Sequence, residues 1–221
     1  MKRVFVVDDH PVMRRGYEAL LTQEPGLEWC GEASSAEEAI AKIPEAKPDL
    51  VIADLTLEGL NGIELVKRLQ ALIPGLPVLV VSMHDEGLYA ERALRAGARG
   101  YLMKSHAGDS VAEAVRRILG GGFYFSDAIQ QRIFLQHRGQ RPEPAVEGQL
   151  AIEGLTDREL ELFEHLGRGL TTRQIADTMR ISPKTVETHR TRVREKLGVE
   201  TTAELVRRAV LWVQAQEASG V

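Results

Sequence analysis

Leu50-Val51-Ile52-Ala53-Asp54-Leu55 is the stretch that decides the fold. Residues 50–53 are apolar throughout, as expected of a central strand buried on both faces, and a charge at Asp54 ends the run. Just downstream the period changes. Over 61–72, Ile63, Val66 and Leu69, with Ile73 beyond, recur at helical spacing. Working outward, short apolar runs at 4–7, 29–31, 78–81 and 100–102 read as further strands. Between them, 12–23, 36–44, 88–96 and 110–119 carry helical periodicity. Five strands alternating with helices predict an α/β architecture, a parallel sheet covered on both faces.

The pattern weakens after Gly120-Gly121-Gly122. Residues 126–153 hold Arg141-Pro142-Glu143-Pro144 and little apolar periodicity, so they read as a linker with one short helix at 127–136. From Leu155 the chain looks all-helical. Capping boxes mark three starts, Thr156 with Glu159, Thr171 with Gln174, and Thr201 with Glu204. Ser182-Pro183 marks a fourth, a hydroxyl cap followed by proline at the first helical position. Gly169 and Gly198 stand where helices should end. Four short helices, the second and third joined around Ile181, describe a helix-turn-helix. The expected divisions are 1–122, a linker over 123–153, a helical domain over 154–212 and a tail over 213–221.

At 221 residues, with 43% hydrophobic and 27% charged residues, the chain suits two ordinary globular domains. No apolar run approaches the ~20 residues that a membrane span needs. The opening Met1-Lys2-Arg3 followed by Val4–Val7 is too short to be a signal peptide, because Asp8 interrupts it. Cys30 is the single cysteine, which excludes an internal disulfide and points to a reducing cytoplasm. It reads as a small core residue. The net charge of −4 is uneven: residues 1–125 hold 14 Lys/Arg against 18 Asp/Glu, whereas 180–196 hold six basic residues against two acidic. A basic segment in an otherwise acidic chain suits nucleic-acid contact by one element only.

Five residues carry the chemistry of the first domain. Asp8 and Asp9 follow the first strand, Asp54 ends the third, Ser82 ends the fourth and Lys104 follows the fifth. Taken singly, each is an ordinary surface residue. Together they occupy the carboxyl ends of parallel strands, where open α/β sheets bind ligands. Three gathered carboxylates repel unless a cation joins them, and oxygen donors favour a hard divalent ion, Mg²⁺ foremost. Asp54 can then attack a phosphoryl group to give an acyl phosphate. Lys104 can pair with the phosphoryl oxygens, and Ser82 can donate a hydrogen bond to them. His10 reads as a loop residue beside the pocket. His84 borders it, either as a plain loop residue or as a group that tunes hydrolysis.

On these positions, residues 1–122 resemble the receiver domain of bacterial response regulators. The segments Val51-Ile52-Ala53-Asp54-Leu55, Gly59-Leu60-Asn61-Gly62 and Gly97-Ala98-Arg99-Gly100-Tyr101-Leu102-Met103-Lys104 carry the likeness. The resemblance implies a flavodoxin-like, doubly wound five-stranded sheet of order 2-1-3-4-5. It implies Asp54 as phosphoacceptor, Asp9 and Asp54 as direct metal ligands, Asp8 acting through water, and the backbone carbonyl of Thr56 as a further ligand. Tyr101 falls on the aromatic switch position, paired with Ser82.

The third helix of the second domain runs over 183–197. At 100° per residue, Val193 and Leu197 fall within about 20° of Val186, so that face packs inward. Lys184, Thr188, Thr191 and Glu195 lie opposite, flanked by Glu187 and Arg192, with Arg190 and Arg194 to the side for phosphates. Such a pattern also describes a plain amphipathic surface helix. Residues 155–211 nevertheless resemble the LuxR-type DNA-binding domain, in Leu155-Thr156-Asp157-Arg158-Glu159, Gln174-Ile175-Ala176, Lys184-Thr185-Val186-Glu187-Thr188-His189-Arg190 and Lys196-Leu197-Gly198-Val199. Both halves together resemble the NarL/FixJ group. The DNA-facing candidates are then Lys184, Thr185, Glu187, Thr188, Arg190, Thr191, Arg192 and Arg194. Glu187 departs from the lysine often found there; it either accepts from a cytosine amino group or pairs with Arg190 or Arg194.

The resemblance implies a transcription factor, not an enzyme, switched by a sensor histidine kinase and bound to promoter DNA. It implies no membrane association, and a homodimer on phosphorylation formed through the fourth helix, 201–212, with Leu205, Ala209 and Trp212 along one side. A catalytic phosphatase or phosphotransferase, and a receiver that works without phosphorylation, are the competing readings. A second substrate domain or general base is lacking for the former, and the full pocket argues against the latter.

Overall fold

The computed structural model describes residues 1–57, 59–84, 86–137 and 152–219. Contacts divide the chain into two compact units, Met1–Ile133 and Phe134–Val221.

The first unit alternates strand and helix: β1 (Lys2–Val7), α1 (Pro11–Gln23), β2 (Leu27–Ala33), α2 (Ala36–Ala46), β3 (Leu50–Asp54), α3 (Gly62–Leu72), β4 (Val78–Ser82), α4 (Glu86–Ala96), β5 (Gly100–Met103), a 3₁₀ turn (Lys104–His106) and α5 (Ala107–Leu119). The sheet order is β2-β1-β3-β4-β5, and all its pairings are parallel. Every residue of β3 and β4 is buried, which is why the deciding stretch lacks a polar alternation. Val4, Val6, Leu50, Ile52, Leu79 and Val81 face Tyr17 and Leu21 of α1 and Val111, Val115 and Ile118 of α5. Burying each such aliphatic side chain stabilises the fold by roughly 1.5–3 kcal/mol before chain entropy is counted.

Local chemistry starts the helices where the sequence suggests. Asn61 caps α3 by accepting from the Glu64 amide at 3.0 Å, and Ser35 caps α2 from the Glu38 amide at 3.2 Å. Gly62 has a separate task. A Cβ there would stand 2.2 Å from the Asp54 carbonyl oxygen, so only glycine lets α3 begin directly against the end of β3.

Three features depart from the sequence reading. Strand β2 is longer than 29–31, and its register slips between Val4 and Phe5, leaving Cys30 between the paired Trp29 and Gly31. Cys30 is half-buried at this bulge instead of filling the core, and burial pushes its thiol up despite nearby Arg3. Second, residues 123–126 are not free linker. Tyr124 pairs with Gly100 as an added bridge on β5, with Tyr101 N donating to Tyr124 O at 2.8 Å and Tyr124 N to Arg99 O at 3.0 Å. Third, the expected short helix, α6 (Asp127–His137), begins against α4: the Ser126 amide donates to Glu86 Oε1 at 2.9 Å, and Arg132 donates to the Gly87 carbonyl at 3.0 Å. The rest of the expected linker, 138–151, lies outside the described residues.

In the second unit, the helices described in full are α7 (Asp157–Gly167), α8 (Thr172–Met179), α9 (Pro183–Leu197) and α10 (Thr202–Ser219). Both capping boxes at Thr156/Glu159 and Thr171/Gln174 form reciprocally. At the fourth start, Thr201 accepts from the Glu204 amide, but the Glu204 carboxylate reaches the Glu200 amide instead of that of Thr201. Leu160, Phe163, Ile175, Val186, Val193, Leu205 and Ala209 are fully buried. Helix α10 continues through Ser219, past the expected boundary at 212, because Val213 is still buried and no glycine or proline intervenes until Gly220. Leu205 and Ala209 lie in the domain's own core, and Trp212 packs on Phe163 at 5.6 Å between ring centroids. The apolar side offered for pairing two copies is therefore occupied within one domain. Leu211, 60% exposed, lies on the outer side of the helix.

Candidate functional site

The carboxyl edge of the sheet brings the expected residues together. Asp8 and Asp54 are buried. Between them lies the Lys104 ammonium, 2.6 Å from Asp54 Oδ2 and 2.9 Å from Asp8 Oδ2. The Thr56 amide donates to Asp54 Oδ1 at 3.1 Å. Burial pushes the Asp54 carboxyl up to about 6; the Asp8 charge adds to this, and Lys104 pulls the other way. The Lys104 ammonium itself is disfavoured by burial, yet Asp54 and Asp8 outweigh that and hold it above its ordinary value.

Asp9 is the more open acid, and His10 Nδ1 lies 2.6 Å from its Oδ1. One ligand atom from each of Asp8, Asp9, His10 and Asp54 can be chosen so that all lie within 4.8 Å of one another. Two of the three carboxylates, Asp8 and Asp54, share the Lys104 ammonium while Asp9 meets His10, and an oxygen-rich donor set of this kind fits a hard divalent cation. His10, read from sequence as a bystander, thus turns a nitrogen toward the acids. The bond that the structure gives the Thr56 backbone runs through its amide.

Ser82 is fully buried and accepts from the His84 amide at 3.1 Å. Tyr101 is buried as well, with its hydroxyl donating to the His84 carbonyl at 2.9 Å. The His84 ring lies 2.9 Å from Thr56 Oγ1 through Nε2 and packs on Tyr89, 4.9 Å between centroids. His84 thereby joins the loops after β3 and β4 to Tyr101, a role that adjacency to Ser82 in sequence only hinted at. Two contributors escaped the sequence reading. Arg14 donates to the Asp8 carbonyl at 2.7 Å. Tyr17 sets a phenol beneath the acids, and burial followed by Asp8 and Asp54 holds it above its ordinary pKa. The available signal for Tyr17 was a polar tip on the otherwise apolar face of α1.

Helix α9 buries Val186, Val193 and Leu197, as the helical angles required. Lys184, Glu187, Thr188, Thr191 and Arg192 are exposed, while Thr185, Arg190 and Arg194 are half-buried. Ser182 caps the helix from the Thr185 amide at 3.1 Å. Glu187 is paired: Arg190 Nη1 donates to its Oε1 at 2.7 Å. Arg190 is thus less free for phosphate than its position in sequence suggested. The Thr188 and Thr191 hydroxyls are turned back onto the carbonyls of Lys184 and Glu187, each at 3.0 Å.

Against known families, residues 4–116 match the response regulator receiver domain, and residues 153–209 match the bacterial regulatory proteins of the luxR family. The chain is a response regulator. Transcriptional activator protein ExaE of Pseudomonas putida is 40% identical over 208 residues, covering 94% of this chain and 95% of that protein. The DNA-binding transcriptional activator DevR/DosR of Mycobacterium tuberculosis is 38% identical, covering 90% of each. UhpA of Escherichia coli, a transcriptional regulatory protein, is 35% identical, covering 94% of this response regulator and 97% of its own length. Among solved structures, a LuxR-family response regulator from Aurantimonas sp. aligns at TM-score 0.57 and 36% identity, over 62% of this chain and 97% of that one. RcsB of Salmonella enterica serovar Typhimurium, bound to promoter rprA, aligns at TM-score 0.65 over 95% and 98% of the two chains; at 21% identity the likeness is one of fold. This response regulator is a two-component transcriptional regulator with a receiver and a LuxR-type DNA-binding domain. No helix among its described residues is long and apolar enough to cross a membrane.

Proposed function

We propose that Asp54 is the phosphoacceptor of this response regulator and that its modification sets DNA occupancy by α9. The observation that carries this is the Asp54 carboxylate itself, buried at the end of β3 between Lys104 at 2.6 Å and the Thr56 amide at 3.1 Å. A carboxylate so held is fixed for attack and shielded from competing water. An Asp54 oxygen forms the new bond to phosphorus as the bond from phosphorus to the donor breaks. With a sensor histidine kinase as donor, the leaving imidazole takes up a proton from solvent. Lys104 then follows the charge from the carboxylate to the phosphoryl oxygens, and Ser82 turns its hydroxyl toward them.

Asp8, Asp9 and Asp54 would hold Mg²⁺, with the Thr56 carbonyl as a further ligand; the ion would neutralise charge on the transferring phosphoryl group. Release of Ser82 Oγ from the His84 amide would alter the loop that also anchors Tyr101, which couples the pocket to α4 and β5. On the DNA side, Lys184, Arg192 and Arg194 suit phosphates, while Thr185, Glu187, Thr188 and Thr191 lie toward base edges, with Arg190 supporting Glu187. The chain would act in the cytoplasm on double-stranded promoter DNA, as a homodimer when phosphorylated, and without catalytic turnover of its own. The division into a receiver over 1–122 and a DNA-binding domain over 154–212 belongs to the same proposal, with 123–133 joined to the former and the helix lengthened to 219.

The test is labelling by a small acyl-phosphate donor with Mg²⁺, followed by DNA footprinting, on the native chain and Asp54→Ala. Labelling and donor-dependent protection are expected in the native chain only. Equal donor-dependent occupancy by the variant would overturn the assignment. Continuous turnover of phosphate esters would favour the enzyme reading instead.

A further inference from the structure

The geometry points to Glu187 as a specificity-determining residue that selects cytosine at one position of each DNA half-site, with Arg190 and Thr172 holding its carboxylate in place. The inference rests on the DNA-binding role proposed for α9.

Glu187 lies in the N-terminal half of α9, and its side chain is 54% exposed. It belongs to a closed triangle drawn from two helices. Arg190 Nη1 donates to Glu187 Oε1 at 2.7 Å, and the Thr172 hydroxyl, on α8, donates to the same oxygen at 3.2 Å. Arg190 Nη2 completes the triangle by donating to Thr172 Oγ1 at 3.1 Å. Both donors converge on one oxygen. Oε2 takes part in neither bond, and on a side chain more than half exposed it is the acceptor left for a partner.

An acceptor without a donor narrows the choice of base. In the major groove cytosine presents its N4 amino group, a donor. Guanine presents N7 and O6, both acceptors, which would oppose a carboxylate. Thymine presents O4 and a methyl group. Adenine offers N6–H, but with the N7 acceptor beside it. Cytosine alone offers a donor with no acceptor on its own major-groove edge. The obvious objection is that an acid near DNA phosphates repels them, and Arg190 answers it. Its side chain is only 14% exposed, and its guanidinium lies against the carboxylate and offsets the charge locally. Arg190 is therefore a positioning residue for Glu187, and Thr172 is its second support across the turn.

The experiment is selection from a randomised double-stranded DNA library by the full chain treated with an acyl-phosphate donor and Mg²⁺. Native protein, Glu187→Gln and Thr172→Val are compared position by position. The native chain is expected to enrich cytosine about tenfold or more at one position per half-site. In Glu187→Gln that preference moves to adenine, since glutamine both donates to N7 and accepts from N6, while the other positions stay unchanged. In Thr172→Val the cytosine enrichment falls by severalfold at that position alone, which a merely structural Thr172 would not produce. Identical base preferences in the native chain and Glu187→Gln, or a uniform change in affinity across all sequences, overturn the inference while leaving DNA binding by α9 in place. A library from which the native chain enriches no sequence overturns both.

Discussion

Lys104 Nζ stands 2.6 Å from Asp54 Oδ2, and the two side chains are 8% and 2% exposed. Asp8 Oδ2, at 2.9 Å, shares the same ammonium. One cation therefore holds two buried carboxylates.

Removing that cation leaves both acids uncompensated. Lys104→Met is expected to destabilise the receiver by about 3–5 kcal/mol at neutral pH, the usual consequence of breaking a buried pair from one side. Urea unfolding followed by Trp29 fluorescence, with Trp212→Phe in both proteins to remove the second emitter, measures it. Added Mg²⁺ should restore more stability to the variant than to the native chain. A variant unaffected in midpoint would show that solvent already compensates the acids.

Gly62→Ala tests the close approach of α3 to β3. The added carbon meets the Asp54 carbonyl oxygen at 2.2 Å and Leu55 Cα at 2.7 Å, and both are backbone. The strand end must shift, at a cost of about 1–3 kcal/mol. Labelling at Asp54 should slow as well, because the shifted atoms belong to that residue. Unchanged stability with unchanged labelling would refute the steric account.

Glu159 supplies a pH test in the second domain. Burial alone would raise its carboxyl, but Lys196 at 2.6 Å, together with the Thr156 amide and hydroxyl, holds it below the ordinary 4.5. A depressed acid contributes stability above its unfolded value and loses it as pH falls through the folded one. Glu159→Gln, which keeps the cap acceptor and removes the charge, should cost about 1 kcal/mol above pH 5, since Lys196 is partly screened by solvent. The difference should shrink steadily below pH 4.5. Thermal melts of both proteins from pH 3 to pH 7 would read it.

Leu205 and Leu211 separate packing from pairing on α10. Leu205 is fully buried, so Leu205→Ala should destabilise the domain by about 2–5 kcal/mol. Leu211→Ser should leave unfolding almost unchanged and, if the outer side joins two copies, weaken the phosphorylated dimer in sedimentation experiments.

Much of this was legible in the chain itself. Uniform burial along 50–53 wrote β3 plainly, and three acids with Lys104 at strand ends located the pocket before any distance was known. Hydroxyl caps at Thr156, Thr171 and Ser182 placed helix starts because capping is local chemistry. What failed was non-local. The slip at Gly31 depends on Phe5, whose ring carbon a Cβ at Gly31 would meet at 2.8 Å, and no pattern within 29–31 encodes that neighbour. Leu205, Ala209 and Trp212 form a stripe that periodicity alone cannot assign to a core or to a partner; Phe163 decides it. The Glu187–Arg190 pair is one of two options that spacing on a single helix allows, but its third member, Thr172, lies on another helix.

The added bridge at Tyr124 has a consequence for how copies can meet. Its main chain already satisfies Arg99 and Tyr101 on the β5 border, while the bulge at Cys30 in the β1–β2 pairing kinks the β2 strand. Neither rim offers a flat template for a foreign strand, so the sheet resists end-to-end polymerisation. Any contact between two copies of the sheet domain is then left to its helical faces.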